Sequence, residues 1–334
     1  VSGVDAFVVA HNHAATLPAT LAGLAAQRVR PERVVVLDNA SSDASLEAAR
    51  GWSDRLPLDI VAWAENRGFS AAANEALRRT SSPWVLSLNP DCRLEPDYLA
   101  ELLGAVAGSE SAGAATGLLR RAQDPALVPT GAVDSAGMVV HASLRHLDRG
   151  SGRPLSAGLL RPAWVFGASA AAALYRRAAL ADVAYSGGEV FDETFFAYRE
   201  DADLAWRLQR RGWRCLYWPR AQALHARGLK PEARRRGTPE VNRHSVRNRF
   251  LLRWGNADWR WMASCFPFWL LRDALVVAAC LTVERTSLPA LREAFALRSQ
   301  HLARGRANRA RATVSGWRTA RWFLPFGHTR GLEG

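Results

Sequence analysis

The sequence predicts an α/β fold: a mostly parallel sheet flanked by helices, followed by a C-terminal helical segment. Three observations carry this. In the first hundred residues, short β-branched or apolar runs alternate with stretches of helical spacing, the pattern of successive βαβ units. Charge divides the chain, since residues 1–229 hold 24 Lys+Arg against 24 Asp+Glu and residues 230–334 hold 20 against 7. That cationic last third also carries six of the thirteen Trp. With 49% hydrophobic residues over 334 positions, the chain has ample material for a core, which excludes global disorder.

The elements follow in order. Residues 4–10 are a short apolar strand, and 17–27 have helical spacing with small residues. Residues 33–39 (RVVVLDN) are a β-branched second strand, and 42–50 read as a helix capped by the cluster from Asn39 to Asp43. Residues 58–65 form a third strand, 69–79 a helix, 84–89 a fourth strand, and 96–107 a helix opened by its proline. Strands separated by such helices make a parallel sheet, and ligands bind outside the carboxyl ends of its strands. Asp38, Glu65 and Asp91 all fall at those ends. Beyond residue 110 the pattern loosens into Gly-rich, hairpin-like pieces over 112–160. A charged helix within 195–213 follows, then a strand over 214–219 that leads to His225.

Several short stretches could carry chemistry. Asp38 and Asn39 end a strand and Asp43 opens a helix, so hydrogen-bond acceptors and helix amides meet at one edge. Asn66-Arg67-Gly68 forms a tight turn into a helix that contains Asn74, with Gly68 permitting a backbone geometry other residues resist. In SLNPDC, Pro90 stops a buried strand and Asp91 projects from its tip. Glu200, Asp201 and Asp203 crowd one helical turn, where a carboxylate beside Phe195 and Phe196 could act as a general base. Taken singly, each is equally a cap, a turn or a charge-stabilised helix end. Neither GxGxxG nor GxxxxGK[ST] occurs in the first half, which lowers dinucleotide and P-loop readings. Gln209-Arg210-Arg211-Gly212-Trp213 has Gly212 where the QxxRW box of processive synthases has its Arg, so single addition is expected.

Five of these stretches, VVLDNASSD (35–43), ENRGFSAAAN (65–74), LNPDC (88–92), FFAYREDADLAWRLQRRGW (195–213) and HARG (225–228), occur in one order across about residues 4–250. In that order the chain resembles the inverting family 2 glycosyltransferases of GT-A, Rossmann-like fold, and within them the bacterial rhamnosyltransferase-like branch. The resemblance implies a UDP- or dTDP-sugar donor, with dTDP-rhamnose the first guess, and a lipid-linked or cell-envelope glycan acceptor. It implies that Asp38, Asn39, Asp43, Asn66, Arg67, Gly68, Asn74, Asn89, Asp91 and Arg247 border the nucleotide-sugar. It assigns Asp201, beside Glu200, as catalytic base. Asp91, the last carboxylate of a DxD motif whose first Asp is here Asn89, would hold Mn²⁺ or Mg²⁺ with His225. Trp164, Gly167, Ala168 and Phe196 are expected to wall the acceptor.

The expected division is a catalytic domain over 1–229, with a nucleotide-sugar half to about 110, and a basic Trp/Arg-rich helical segment over 230–334. Residues 259–283 are apolar, but Pro267, Arg272 and Asp273 interrupt them, so a spanning helix is not expected. Trp, Phe and Arg at helical spacing fit an interfacial helix on anionic lipid, or else a helical pair packed on the catalytic domain. The four scattered cysteines read as reduced thiols, and no signal peptide is expected. These readings imply a protein peripheral on the inner face of a bacterial plasma membrane, with no nucleic-acid partner. A non-catalytic polyanion- or lipid-binding protein is the alternative. Such a protein gains nothing from carboxylates at the tips of strands.

Overall fold

The computed structural model describes residues 3–123, 125–226, 239–325 and 327–332. Arg227 and Gly228 of the HARG stretch, the linker that begins at 230 and the expected boundary at 229/230 lie outside the described residues.

The first strands are β1 (Val4–Ala10), β2 (Arg33–Asn39), β3 (Leu58–Trp63) and β4 (Trp84–Leu88). They alternate with α1 (Leu17–Ala25), α2 (Ser45–Arg50) and α3 (Gly68–Arg78). β1 lies between β2 and β4, with β3 outside β2, and all four run parallel. β1 is buried at every position, as expected of a strand covered on both faces. Its one charge, Asp5, survives burial because it accepts from the amides of Ser81 and Ser82 and from the Ser82 hydroxyl.

Past β4 the sheet becomes mixed. β5 (Cys92–Leu94), α4 (Tyr98–Val106), β6 (Ala112–Gln123), β7 (Val128–Ser135), the small hairpin β8 (Met138–Val140) and β9 (His146–Asp148), β10 (Ala163–Val165) and β11 (Ala172–Arg176) follow in sequence. Then come α5 (Arg177–Val183), α6 (Glu200–Arg211) and β12 (Arg214–His225). The main sheet has the order β10-β12-β6-β11-β4-β1-β2-β3, with β11 antiparallel to both β4 and β6. The result is a helix-flanked α/β sheet whose parallel half is the part with regular βα periodicity.

Two boundaries differ from the periodicity for visible reasons. α2 begins at Ser45, not 42, because Asp43 spends its carboxylate on the Ser45 amide and hydroxyl and on the Ala14 amide. β12 does not end at Pro219 but continues to His225. A register shift between Tyr217 and Gln222 accommodates the proline, which has no amide to give the ladder.

The C-terminal segment forms α7 (Pro239–Asn256), α8 (Trp259–Ser264), α9 (Phe268–Leu281), α10 (Leu288–Ala310) and α11 (Gly316–Ala320). It is fastened to the sheet-bearing part. Asn256 donates to buried Asp203 at 2.7 Å, Arg210 pairs with Asp258 at 2.9 Å, and Arg304 pairs with Glu189 at 2.8 Å. Asp273, on α9, is held by Arg249 and Arg253 of α7 at 2.7 and 2.6 Å, so this charge is an internal clasp. The outer side of α9 is apolar and exposed at Phe268, Leu271 and Leu275, and Trp259 and Phe266 are exposed nearby in sequence. Among the described residues no single helix is long and apolar enough to cross a membrane.

Candidate active site

The register of the parallel strands brings their carboxyl ends level: Ala10 lies opposite Asp38, Asn39 opposite Trp63, and Val8 opposite Leu88. Asp38 is buried, with Oδ2 accepting from the Ser41 amide at 3.2 Å. Its buried Oδ1 has no partner among the described residues. An orphaned buried acceptor is costly, and a donor from a ligand would relieve it. Asn39 donates to Asn66 Oδ1 and accepts from the Arg67 amide, which fixes the tips of β2 and β3 to each other. Arg67 is exposed, its guanidinium 4.7 Å above the Trp63 ring. The loop after β1, which the sequence reading passed over, is laced to the loop after β2. Asn12, at φ 59°, gives its amide to Ser41 and takes that of Ser42. Hydrogen bonds from Ser45 and Ala14 outweigh partial desolvation and hold the Asp43 carboxyl below its ordinary range.

Beyond β4, the Asn89–Cys92 turn is closed by the Cys92 amide on Asn89 O, and the Asn89 amide donates to Ala171 O at 2.9 Å. β12 delivers His225 to this turn, with its Nε2 3.2 Å from Asp91 Oδ1 and 3.4 Å from Asn89 Nδ2. On the other side of the ring, Nδ1 lies 2.7 Å from Oδ2 of Asp134, a fully buried carboxylate on β7. Asp134 was missed by sequence reasoning, because it carries no motif and lies 91 positions away in sequence. Burial opposes the imidazolium, but Asp91 and Asp134 override it and push the His225 pKa to about 10. The donor set is one carboxylate and one imidazole whose far nitrogen is fixed by a second carboxylate, an arrangement typical of metal-ligating His. Among the described residues no group of three or more His, Cys, Asp or Glu is placed to hold an ion. Asp91 and, once a divalent cation displaces the proton on Nε2, His225 could supply two ligands to a hard ion, too few to hold it without ligands from elsewhere.

The third component is the turn into α6. Phe196, Tyr198 and Arg199 have φ of 64°, 69° and 74°, left-handed values that non-glycine residues seldom adopt. Contacts from two sides hold them there. The Phe196 carbonyl accepts from the Ser70 amide, and a Cβ on Gly68 (φ 83°) would sit 2.6 Å from the Phe196 ring, so only glycine fits. On the other side α7 supplies Asn248, whose Nδ2 lies 2.8–2.9 Å from the carbonyls of Phe195, Ala197 and Tyr198, and His244, which stacks on Phe196. The turn presents Glu200 and Asp201. Burial and the Asp201 charge raise the Glu200 pKa to about 8; its buried Oε2 has no partner among the described residues. Burial and Asp148 raise Asp201 to about 6, against the pull of the Ala202 and Ala170 amides. Ala170 and Ala171 thus tie Asp201 and the Asn89–Asp91 turn to one short segment.

Other expected residues have different work. Asn74 is buried, donating to Phe191 O and Glu193 and accepting from the amides of Val190 and Phe191, so its amide is fully committed to packing. Arg247 is not aimed at a diphosphate: its guanidinium donates to the carbonyls of Thr194 and Phe195, to Asn248 and to Glu293. Trp164, Gly167 and Ala168 do not form an open acceptor wall. All three are buried: Arg214 lies 4.1 Å over the Trp164 ring, and Ala205 of α6 occupies the space of a Gly167 side chain. Gly212 ends α6 at φ 88°, so the box-like stretch around it is a helix terminus.

A helix-flanked α/β sheet with acidic and amide side chains at the carboxyl ends of its strands, and a raised carboxylate tied to the segment beside β4, suits a group-transfer enzyme. Residues 5–183 match the model of glycosyl transferase family 2, and the chain belongs to that family. It is 29% identical over 232 residues to N-acetylglucosaminyl-diphospho-decaprenol L-rhamnosyltransferase of Mycobacterium tuberculosis, covering 61% of this chain and 70% of that protein. The fold is GT-A. It is shared with mannosyltransferase PcManGT from Pyrobaculum calidifontis, solved with GDP-Man and Mn²⁺ (TM-score 0.52, 20% identity, 96% of this chain and 83% of that one). It is also shared with residues 1–349 of S. aureus TarS, solved with UDP-GlcNAc (TM-score 0.53, 17% identity, 95% and 90%).

Proposed function

We propose that this glycosyltransferase moves a sugar from a dTDP- or UDP-sugar, dTDP-rhamnose first, to a hydroxyl of a lipid-linked or cell-envelope glycan, with inversion. The observation that carries the reading is Asp201, a raised carboxylate tied through residues 170 and 171 to the Asn89–Asp91 turn. Asp38, through its orphaned acceptor, and the Asn39–Asn66–Arg67 lock receive the nucleoside. Asp91 and His225 would hold Mn²⁺ or Mg²⁺, with Asp134 fixing the imidazole. Such an ion, when bound, neutralises charge growing on the leaving diphosphate. Asp201 takes the proton of the acceptor hydroxyl as its oxygen attacks C1 from the face opposite the nucleotide. Glu200, held protonated near neutral pH, keeps a second negative charge out of the site. Residues 1–229 form the catalytic domain. The exposed apolar side of α9, within a segment carrying 20 basic and 7 acidic residues, rests on anionic lipid. The name of the M. tuberculosis relative, which specifies a diphospho-decaprenol acceptor, supports a lipid-linked one here.

The experiment is a melting-temperature screen with UDP, dTDP and Mn²⁺, followed by donor hydrolysis across sugar nucleotides. At least one nucleotide with Mn²⁺ raises the melting temperature, because ligand binding to the native state stabilises it. If neither does, the donor assignment fails.

A further inference from the structure

A cleft of about 220 Å³ opens beside the catalytic turn, and none of the donor-side residues lines it. Its walls come from the β8–β9 hairpin (Arg145), the left-handed turn (Tyr198 and Arg199), α7 (Asn242 and Ser245) and α9 (Arg272). Among the described residues three guanidinium groups line it and no carboxylate does, and Arg199 also donates to the Leu144 carbonyl at 2.9 Å. Arg145 and Arg272 are exposed at its rim. Planar guanidinium forks match phosphate oxygens, and neutral amide and hydroxyl groups complete such a site. The space accommodates several water-sized groups, enough for a diphosphate.

Its position says which diphosphate. Arg199 stands two residues before Asp201, and Leu147, also in the lining, precedes Asp148, the carboxylate that raises Asp201. Arg272, also in the lining, sits on α9, directly after exposed Leu271 and one turn from exposed Phe268 and Leu275. The cleft therefore joins residues adjoining the proposed general base to residues adjoining the apolar face of α9, as a sugar–anion–hydrocarbon ligand requires. We infer that this cleft binds the diphosphate linker of a lipid-linked acceptor, with the acceptor sugar at Asp201 and the lipid chain leaving along α9. The inference rests on the glycosyl-transfer reading above and adds a second anion subsite, separate from the donor's.

The test uses the full chain and farnesyl diphosphate as probe, with farnesol and inorganic diphosphate as controls, followed by titration calorimetry. Farnesyl diphosphate binds more tightly than either control, and its binding persists with saturating UDP or dTDP and Mn²⁺. In Arg145→Gln/Arg272→Gln its Kd rises at least about ten-fold, the size of one charge-assisted hydrogen bond, with nucleotide affinity and melting temperature retained. Displacement by nucleotide assigns the cleft to the donor and overturns the inference. Equal binding of inorganic diphosphate, equal binding of farnesol, or a double variant that binds as wild type also overturns it. If the chain binds the prenyl diphosphate but no nucleotide, the donor reading fails while the cleft assignment stands.

Discussion

Two acidic clusters lie at neighbouring strand and helix ends, and they meet burial in opposite ways. Asp91 and Asp134 flank His225, so each buried charge has a cationic or hydrogen-bonding counterpart and the imidazole is driven toward its protonated form. Glu200 and Asp201 instead have more carboxylates as neighbours, Asp203 and Asp148, and both are driven toward their neutral forms. The first arrangement suits charge that must be held in place. The second suits a proton that must move, since a base poised near the working pH transfers protons most effectively. The contrast comes from what faces each carboxylate, since both clusters are built from the same residue type.

The sharpest way to break the contrast is Asp201→Asn. It should lower kcat about 10³-fold with nucleotide binding intact, measured by product formation and nucleotide titration. In the wild-type enzyme kcat/KM should fall as pH drops below about 6, where Asp201 takes up its proton; a flat profile there would remove it as base. A smaller effect is expected on the paired side. Asp134→Asn should weaken Mn²⁺ binding about 10- to 100-fold, read by paramagnetic resonance in the presence of nucleotide, because the imidazole loses its orienting partner. The smallest effect concerns stability. Glu200 has a folded-state pKa of about 8 against an ordinary 4.5, so the native state holds its proton more tightly than the unfolded chain. Its contribution to stability therefore declines as pH rises from 4.5 to 8. Glu200→Gln removes that decline, and its melting-temperature advantage over wild type should grow between pH 5 and pH 8. An advantage independent of pH would contradict the raised pKa.

Much of this site was legible because it is local. Asp38 with Asn39, Asn89 with Asp91, and Glu200 with Asp201 each lie where a periodic segment ends, so a strand or helix pattern alone brings them to an edge. What could not be read arrives from a distance. Asp134 reaches His225 from a different strand, and its neighbours give no sign of a ligand partner. Asn74 and Arg247 have residue types that suit phosphate or sugar, yet both are buried against backbone carbonyls and amides 50 to 120 positions away. Trp164 is expected in the acceptor wall, but its ring is buried beneath Arg214. Pro219 ended the predicted strand because register shifts do not show in hydrophobic periodicity.

The hold of Asn248 on the turn before Asp201 bears on how the tail can be studied and how it can diverge. α7 carries both this clasp and, through Arg249 and Arg253, the anchor of α9. The apolar helix face proposed to rest on lipid and the catalytic turn therefore share one mechanical part. Deleting the tail should disable turnover whatever it does to lipid contact, so truncation is no test of the proposed lipid face. Changes confined to the outer surface of α9 test the proposed lipid contact while leaving the catalytic turn in place. Drift in the tail should be correspondingly free on that surface and restrained along the α7 face that grips residues 194–198.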